Sequence, residues 1–421
     1  MAAATAMLPL RISENKWEKE KVMEDQFVKG NHWLEPIVPS PTYPDDVLEL
    51  ADSLPFLAGQ LSGLAAPETA KRLGKLMRLT NSYYSNLIEG QYTEPAELST
   101  RIKRREAKQL GLLAVEHIEA QGALERLMAQ QKASINWIDM FSLHLVKSIH
   151  RRLFKGARED ALRVSEDRLM TPGQLRDEPQ QNVMVGGHYA PAWESVTPML
   201  QRLQHVYGGM KDPRSQLLAS LASHHRLAYV HPFEDGNGRV VRMITHLQLV
   251  KLGIASPLWS ISRGLARKQD EYYARLKAAD QPRRGDLDGR GQLTQAGLIE
   301  FVRFMLGVCK DQMEYTRDAL SMQALRDRLE TIVRYERRFT DAGVKPEAAR
   351  ALHLLIIQGV VSRADFKVYL GLHDKTAANQ LKELIGLGVV EAPSPKSREL
   401  YPGFPVWFAQ LVFPDLHRRF Q

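Results

Sequence analysis

The chain has 421 residues, a length that favours two or three domains with enough apolar residues for separate cores. Lysine and arginine outnumber aspartate and glutamate by 57 to 49, a basic balance that permits contact with nucleic acid without requiring it. A single cysteine, Cys309, excludes an internal disulfide and a cysteine-based zinc site, and we expect it to be a small buried side chain.

Membrane and secretion signals are missing from the sequence. No stretch is long and apolar enough to span a bilayer, and the N-terminus lacks a basic region followed by an apolar one, so we expect a cytoplasmic protein. The phosphate-loop pattern Gly-x-x-x-x-Gly-Lys-[Ser/Thr] is also missing, which gives no support to the classical nucleotide folds.

The first predicted elements are an irregular arm and a helix. Residues 1 to about 60 combine a charged stretch with a proline-rich one, so we expect an irregular arm packed on a later domain. Apolar residues then recur at helical spacing from Pro67 to Gly90. Glu89 falls at the C-terminal end of this helix, where the helix dipole disfavours a carboxylate unless a cation compensates.

Residues 100 to 160 are predicted to form two or three helices. The basic run Arg101 to Arg105 is interpreted as a solvated face, with nucleic-acid contact as the alternative. His144 and His150 lie along an apolar stripe and are interpreted as packing or surface residues, because no carboxylate-rich spacing of metal-ligand type accompanies them.

A polar segment rich in glycine and proline follows, from Ser165 to Pro191. Its residues Val183 to Val185 predict a short hairpin arm, and a plain surface loop is the alternative. The next helix, Ser215 to Val230, carries His224 and His225 side by side. Adjacent helical residues face different directions, so we do not expect these two histidines to share a metal ion.

The stretch His231-Pro-Phe-Glu-Asp-Gly-Asn-Gly-Arg-Val-Val-Arg242, called the signature below, begins another helix. The apolar spacing after it places Gly236-Asn-Gly238 on the turn at that helix's N-terminus. Unpaired N–H groups and the helix dipole make such a turn an anion site, and glycine lets the backbone approach a phosphate closely. Arg239 and Arg242, three residues apart, can each bind phosphate oxygens.

Two further residues of the signature supply chemistry. Asp235 is a hard oxygen ligand suited to Mg²⁺, which usually binds through one or two carboxylates plus substrate phosphates. His231 has an ordinary pKa near neutrality, so its imidazole can accept a proton from an attacking hydroxyl. Together these residues predict nucleotidyl or phosphoryl transfer.

The signature resembles that of the Fic-domain family, whose members transfer AMP from ATP to a Ser, Thr or Tyr hydroxyl of a target protein. The resemblance implies that His231 is the general base and Asp235 the Mg²⁺ ligand. It implies that the α- and β-phosphates bind to Gly236, Asn237 and Gly238. It also implies that Arg239 and Arg242 bind the outer phosphates. Related kinase-type toxins carry Lys in place of Gly238, so this chain favours the AMP-transferring orientation of ATP.

The same resemblance assigns roles outside the signature and covers roughly residues 70–280. The sequence Ser85-Asn-Leu-Ile-Glu89-Gly90 is similar to the inhibitory motif of autoinhibited Fic proteins, whose Glu pairs with the second signature arginine and blocks the ATP γ-phosphate. It implies that Glu89 pairs with Arg242. The polar segment between Ser165 and Pro191 corresponds to the family's flap, which holds the target's backbone.

After the signature helix, Tyr272 or Tyr273 can flank the adenine or can simply pack. Residues 280 to 292, rich in Gly, Asp and Arg, are predicted to be a loop. A long connecting helix is then expected from Leu298 to about Arg338.

The C-terminal part is predicted to form three helices, 345–358, 362–370 and 375–388, followed by a hairpin over 389–401. This order resembles a winged helix. Its third helix would offer groups suited to base edges and phosphates, namely Lys375, Thr376, Asn379, Gln380 and Lys382. Binding of protein, or support of a homodimer, is the alternative use of such a domain.

We therefore predict a mainly α protein with four parts. An N-terminal extension containing the inhibitory helix covers residues 1–105, and a Fic catalytic core with a hairpin flap covers residues 106–315. A connecting helix covers residues 316–340, and a winged-helix-like domain covers residues 341–421. The leading functional hypothesis is a protein adenylyltransferase that uses ATP and Mg²⁺, acts on a target protein or on itself, and is inhibited by Glu89. The alternatives are a DNA-binding regulator with a nucleotide-sensing Fic domain, and a de-AMPylase in which Glu89 positions water.

Overall fold

The computed structural model describes residues 43–104, 111–131, 134–185, 188–255 and 257–417. Most of the predicted N-terminal arm lies outside these residues. Within them the protein is mainly α-helical, as predicted, with short antiparallel strand pairings. No helix of the described ranges combines the length and the apolar character that a bilayer span requires.

The elements up to the signature are α1 (Asp45–Leu64), α2 (Pro67–Ile88), α3 (Pro95–Arg104), α4 (Leu112–Gln130), α5 (Leu143–Leu153), α6 (Glu159–Leu162), β1 (Arg163–Ser165), β2 (Arg168–Leu169), β3 (Met184–Val185), β4 (His188–Tyr189), α7 (Trp193–Tyr207) and α8 (Pro213–Val230). Two 3₁₀ turns add Trp137–Phe141 and Pro179–Gln181. The elements from the signature onward are α9 (Asn237–Lys251), α10 (Ile261–Arg267), α11 (Gln269–Ala279), α12 (Gln295–Leu320), α13 (Met322–Tyr335), α14 (Arg337–Asp341), α15 (Ala348–Gln358), β5 (Val361–Ser362), α16 (Arg363–Leu370), α17 (Asp374–Gly386), β6 (Val390–Glu391), β7 (Glu399–Pro402) and α18 (Val406–Val412).

The centre of the molecule is the helix pair α8 and α9, which the signature loop connects. Both helices are buried along nearly their whole length, and α8 packs against α7, α9 and α12. A helix that is covered on all sides belongs to the core of a protein. The loop between two such helices is therefore held from both ends.

The N-terminal part differs from the predicted irregular arm, because residues 45 to 64 form helix α1. Apolar residues at helical spacing, among them Val47, Leu54 and Leu61, are buried, and the helix packs against α12. Pro55 lies inside this helix on an exposed face. The prediction was wrong here because prolines were interpreted as loop signals, whereas burial against α12 stabilises the helix despite one proline.

Helix α2 is in contact with the C-terminal part of the chain. Thr80 Oγ1 lies 2.8 Å from His417 Nε2, and the Tyr84 hydroxyl donates to Leu416 O at 2.9 Å. In the first turn of α2, Thr69 Oγ1 donates to Ile356 O at 2.6 Å. The predicted inhibitory helix is thus bound at several points to the C-terminal part of the chain.

The prediction of one long connecting helix was wrong, because the helix is interrupted. Two helices, α12 and α13, replace it, and the chain leaves the helical conformation at Ser321, whose ψ is 137°. The Ser321 hydroxyl donates to Asp318 O at 3.2 Å, a local bond typical of serine at helix ends. Cys309, on α12, is buried as expected, and burial raises the pKa of its thiol to about 12.

The C-terminal part contains the three predicted helices, as α15, α16 and α17, and the predicted hairpin, as β6 and β7. Strand β5 extends this hairpin to a sheet of order β5-β7-β6, with Val361 opposite Leu400 and Val390 opposite Pro402. The final helix, α18, was not predicted; its residue Phe408 is buried, with its ring centroid 6.1 Å from that of Phe339.

A matched pair of phenylalanines tests the packing of the core. Phe301 on α12 is fully buried beside His224 and His225, whereas Phe56 on α1 is 69% exposed. We expect Phe301→Ala to lower the free energy of unfolding by about 3–5 kcal/mol, because it removes buried apolar area and leaves a cavity. Phe56→Ala should change it by less than about 0.5 kcal/mol. Urea unfolding of both variants measures the difference, and equal effects would contradict this packing.

Candidate functional site

The signature loop turns sharply between α8 and α9. His231 ends α8 in the left-handed conformation, with φ 49° and ψ 61°, and its N–H donates to Leu227 O at 3.2 Å. Across the loop, Phe233 N donates to Asn237 Oδ1 at 2.9 Å, and Asn237 Nδ2 donates to Phe233 O at 2.8 Å. The Asn237 side chain therefore braces the loop, and Asn237 and Gly238 at the start of α9 border the cavity described below.

Gly236, the residue before α9, needs to be glycine for two reasons. Its φ of 78° is unfavourable for a side chain, and a Cβ there would lie 2.5 Å from a ring carbon of Phe154. Phe154 is itself buried, and His150 stacks on Phe233 with ring centroids 3.9 Å apart. His150 Nε2 also lies 3.1 Å from Asp235 O, so this residue, which was predicted to pack, supports the signature loop.

A cavity of about 660 Å³ opens at the start of α9. Its walls come from the end of α8, the first turn of α9, the flap strands, α11 and the residue that follows α2. Of the residues predicted to form the site, it brings together Glu89, His231, Asn237, Gly238 and Arg242. The volume lies within the range of about 300–1,000 Å³ that is usual for small-molecule sites.

His231 faces this cavity as a neutral imidazole. Burial, together with the positive charge of Arg176 and the presence of His188, lowers the pKa of His231 from 6.5 to about 3. The ring is therefore unprotonated at neutral pH. An unprotonated imidazole beside a cavity can accept a proton from a hydroxyl that enters it.

Arg242 is buried and bound by the C-terminal end of α2. Its Nη2 lies 2.6 Å from Glu89 Oε1 and donates to Ser85 O at 2.9 Å, and its Nε donates to Ser85 Oγ at 3.0 Å. Gly238 passes so close to this ion pair that a Cβ there would overlap Glu89 Oε1. Glu89 thus lies over the first turn of α9, where the sequence predicted a phosphate site.

Asp235 and Arg239 lie beside the cavity rather than in its lining. The Asp235 carboxylate is 54% exposed; its Oδ1 accepts from Gly236 N at 2.6 Å and its Oδ2 lies 3.6 Å from Arg239 Nη2. Arg239 is buried with its guanidinium 4.7 Å above the Phe154 ring. Its Nε and Nη1 have no hydrogen-bond partner among the described residues, so this buried cation has capacity for an anion.

The flap has the predicted hairpin form. Strands β3 and β4 pair with Met184 opposite Tyr189 and Val185 opposite His188, while the Gly-Gly turn between them lies outside the described residues. Val185 is 50% exposed at the mouth of the cavity. His188 Nε2 lies 3.0 Å from Tyr229 O, which ties the flap to α8.

One polar cluster in the cavity was not predicted. Asp280 Oδ1 lies 2.9 Å from His225 Nε2, and its Oδ2 lies 3.5 Å from His188 Nδ1. These three residues are far apart in the sequence and belong to no local motif, so only the fold brings them together. Within the described residues, no group of three or more His, Cys, Asp or Glu could hold a metal ion by itself.

The two tyrosines of α11 take different positions. Tyr272 is buried with its hydroxyl 2.8 Å from His224 Nε2, and it also borders the cavity. Tyr273 is 45% exposed on the cavity wall, and its hydroxyl donates to Ile88 O at 3.1 Å. Both ring nitrogens of His224 have partners, Tyr272 at 2.8 Å and Thr245 at 2.7 Å.

Comparison with known proteins identifies the class of this domain. The sequence model of the Fic/DOC family matches residues 140–249, which include α5, the flap, α8, the signature and nearly all of α9. The chain therefore contains a Fic/DOC domain. It is similar to the protein adenylyltransferase Fic of Nematostella vectensis, 27% identical over 214 residues, and to that of Drosophila mojavensis, 28% identical over 243 residues.

These alignments cover 50% and 56% of this chain, and the chain spans less than half the length of either relative, 45% and 44%. Among solved structures, a Fic family protein from Desulfovibrio desulfuricans is 21% identical with a TM-score of 0.47, covering 87% of this chain and 98% of that one.

The low pKa of His231 can be measured directly. We expect the His231 ring to remain neutral from pH 8 to pH 5, because burial and Arg176 disfavour its cation. Histidine-selective NMR titration, with the signal assigned by its loss in His231→Asn, measures this. In urea the same histidine should titrate with a pKa of about 6.5. Protonation of the folded ring above pH 5 would contradict the buried environment.

The same shift has a consequence for stability. Between pH 6.5 and about 3 the unfolded chain binds a proton at His231 that the folded chain does not, so this residue lowers stability as pH falls through that window. The loss is at most about 1.4 kcal/mol per pH unit. His231→Asn should therefore reduce the slope of unfolding free energy against pH below 6.5.

Proposed function

We propose that this protein is a protein adenylyltransferase that transfers AMP from ATP to a hydroxyl of a protein. The observation that carries the proposal is the presence, in one cavity, of a neutral imidazole, a glycine-lined helix start and a buried arginine, formed by His231, Gly238 and Arg242. The presence of a Fic/DOC domain and the names of the two similar Fic proteins support the same activity.

The reaction follows from the chemistry of these groups. The target hydroxyl oxygen attacks the α-phosphorus of ATP while His231 accepts the hydroxyl proton. The bond from the α-phosphorus to the oxygen that bridges it to the β-phosphorus breaks, and pyrophosphate leaves. Main-chain N–H groups at the start of α9 and the guanidiniums of Arg239 and Arg242 stabilise the phosphate charges.

A magnesium ion fits beside this site. The Asp235 carboxylate is half exposed at the start of α9, and the buried guanidinium of Arg239 next to it has unpartnered N–H groups suited to phosphate. Mg²⁺ usually binds through one or two carboxylates and the substrate phosphates, so a single Asp is a sufficient protein ligand. When bound, the ion would neutralise charge on the leaving phosphates.

Glu89 acts as an inhibitor of this site. It binds Arg242 at 2.6 Å and lies over Gly238, so a phosphate on the first turn of α9 must displace it. Charge-assisted hydrogen bonds contribute about 1.5–3 kcal/mol, which corresponds to about tenfold or more in the affinity for productively bound ATP.

The target protein binds along the flap. Exposed hairpin strands such as β3 can pair with an extended peptide by strand addition, and Val185 of β3 and His188 of β4 both line the cavity. The hydroxyl that is modified belongs to another protein, to a second copy of this chain or to the chain itself. We propose that the reaction takes place in the cytoplasm.

Two substitutions test the proposal. We expect Glu89→Gly to increase labelling of protein by ATP carrying ³²P on its α-phosphate by about tenfold or more, because Arg242 becomes available to the γ-phosphate. Adding His231→Ala should abolish the labelling, since no base remains for the hydroxyl. Glu94→Gly is the matched control, because Glu94 is exposed in the same connection after α2 and bonds to Tyr92 rather than to Arg242.

The same assay separates the competing reactions. Label that arrives only from the γ-phosphate would identify a kinase. Removal of AMP from a modified protein that requires Glu89, with no transfer by Glu89→Gly, would identify a de-AMPylase. Equal labelling by wild type and Glu89→Gly would contradict inhibition by Glu89.

DNA binding is a second candidate activity, and it rests on helix α17. Lys375, Asn379 and Lys382 are exposed there, and Thr376 is partly exposed. Gln380 does not belong to this surface: it is buried, accepts from Lys345 N at 2.6 Å and donates to Gly343 O at 2.9 Å. Its inclusion among the predicted DNA contacts was wrong, because helical spacing alone did not show which face packs.

This activity has its own test. If α17 contacts phosphates, replacing Lys375 and Lys382 by Gln should weaken duplex binding and reduce the slope of log affinity against log salt by about two. Fluorescence anisotropy at several salt concentrations measures this. Replacing Lys71 and Lys75, exposed on α2, removes the same charge and should leave the slope unchanged. A slope equal in the two double variants would contradict binding by α17.

A further inference from the structure

Arg176 is one of the largest fully buried side chains of the protein, and it lies between the flap segment and the signature loop. Its Nε donates to His231 O at 2.8 Å, and its Nη2 donates to Val230 O at 3.0 Å and to Pro191 O at 2.8 Å. Its own backbone N–H donates to Pro232 O at 2.9 Å. One residue thus binds the carbonyls of three consecutive residues of the catalytic turn.

The turn that Arg176 binds is a strained one. Residues other than glycine are disfavoured in the left-handed conformation, and His231 adopts it with φ 49°. Such a conformation persists only where the surroundings fix it. The Arg176 bonds fall on the residue itself and on both of its neighbours, Val230 and Pro232.

We propose that Arg176 is a positioning residue for the proton acceptor: it fixes the His231 turn and joins it to Pro191 at the base of the flap. Arg176 is not itself one of the residues that line the cavity, and its guanidinium binds His231 at 2.8 Å, so it acts through His231 and not on ATP. The target hydroxyl is presented by the flap and its proton is taken by His231. One side chain bound to both sets the distance between them.

Arginine suits this position better than lysine. Its planar group directs several N–H donors in a fixed fork, whereas a lysine ammonium is a single point of charge on a flexible stem. Burial lowers the pKa of Arg176 to about 10, so the group is still a cation at neutral pH. That charge also disfavours protonation of His231, after the larger effect of burial.

The test rests on the proposed function and uses the full chain with Glu89→Gly as the parent. Arg176→Lys is compared with Arg163→Lys, a control on β1 whose guanidinium is exposed and donates to Glu166 O. We expect Arg176→Lys to lower kcat for transfer from α-labelled ATP by about 10- to 100-fold, because small displacements of a reacting group have effects of that size. The Kd of ATP, from calorimetry, should change less than twofold, and Arg163→Lys should change neither quantity.

Equal loss of ATP affinity and kcat would overturn the proposal, since it would mean that Arg176 supports the site as a whole. Unchanged kcat in Arg176→Lys would overturn it too. Arg176→Gln is the second variant, and failure of both variants to fold would show that Arg176 serves stability instead.

Hydrogen exchange separates this inference from the proposed function. If the parent transfers no AMP, the proposed function fails, and amide exchange still decides the role of Arg176. Arg176→Lys should accelerate amide exchange in residues 188–192 and in residues 230–236. Arg163→Lys should not change exchange in either segment. Acceleration in one of the two segments alone, or in none, would overturn the coupling of flap and turn.

Discussion

The site depends on one constraint, which is that the chain must leave the buried helix α8 and enter the buried helix α9 within a few residues. His231 and Gly236 both take positive φ values to achieve this, 49° and 78°. Because α8 and α9 are covered by the core, the turn cannot relax by moving either helix. The imidazole and the N–H groups of α9 therefore hold fixed positions before any ligand binds, which is the preorganisation that transfer reactions need.

Three buried arginines surround this turn, and they differ in the acceptors that they bind. Arg176 binds carbonyl groups, Arg242 binds Glu89 and Ser85, and Arg239 keeps two nitrogens without a partner among the described residues. A buried cation that loses its partner is strongly destabilised. Removing Glu89 therefore leaves Arg242 in need of a new anion, and under the function we propose a phosphate supplies it, so that Glu89 and the phosphate compete for the same guanidinium.

The sequence predicted the features that are local and missed those that the fold assembles. The helix start at Gly236 and the helix ending near Glu89 follow from spacing and end residues, and the Glu89–Arg242 pairing followed from a resemblance. The contacts of Asp280 with His188 and His225 were unpredictable, because they join segments far apart in the chain. Helix α1 was missed because the proline-rich stretch before it predicted an irregular arm that continues to about residue 60, although burial against α12 stabilises the helix.

The way α2 is held bears on how Glu89 can leave Arg242. Thr69, Thr80 and Tyr84 attach the helix to Ile356, His417 and Leu416, so moving α2 as a rigid body would break all of these contacts at once. Glu89 follows the last residue of the helix, and Gly90 after it has a φ of 73°, a conformation that ends the helix. Within the part of the chain that the structure describes, rotation of the Glu89 side chain breaks one hydrogen bond, the one from Arg242. Local release is thus the cheaper motion, unless a partner of the C-terminal part first removes the contacts that hold α2.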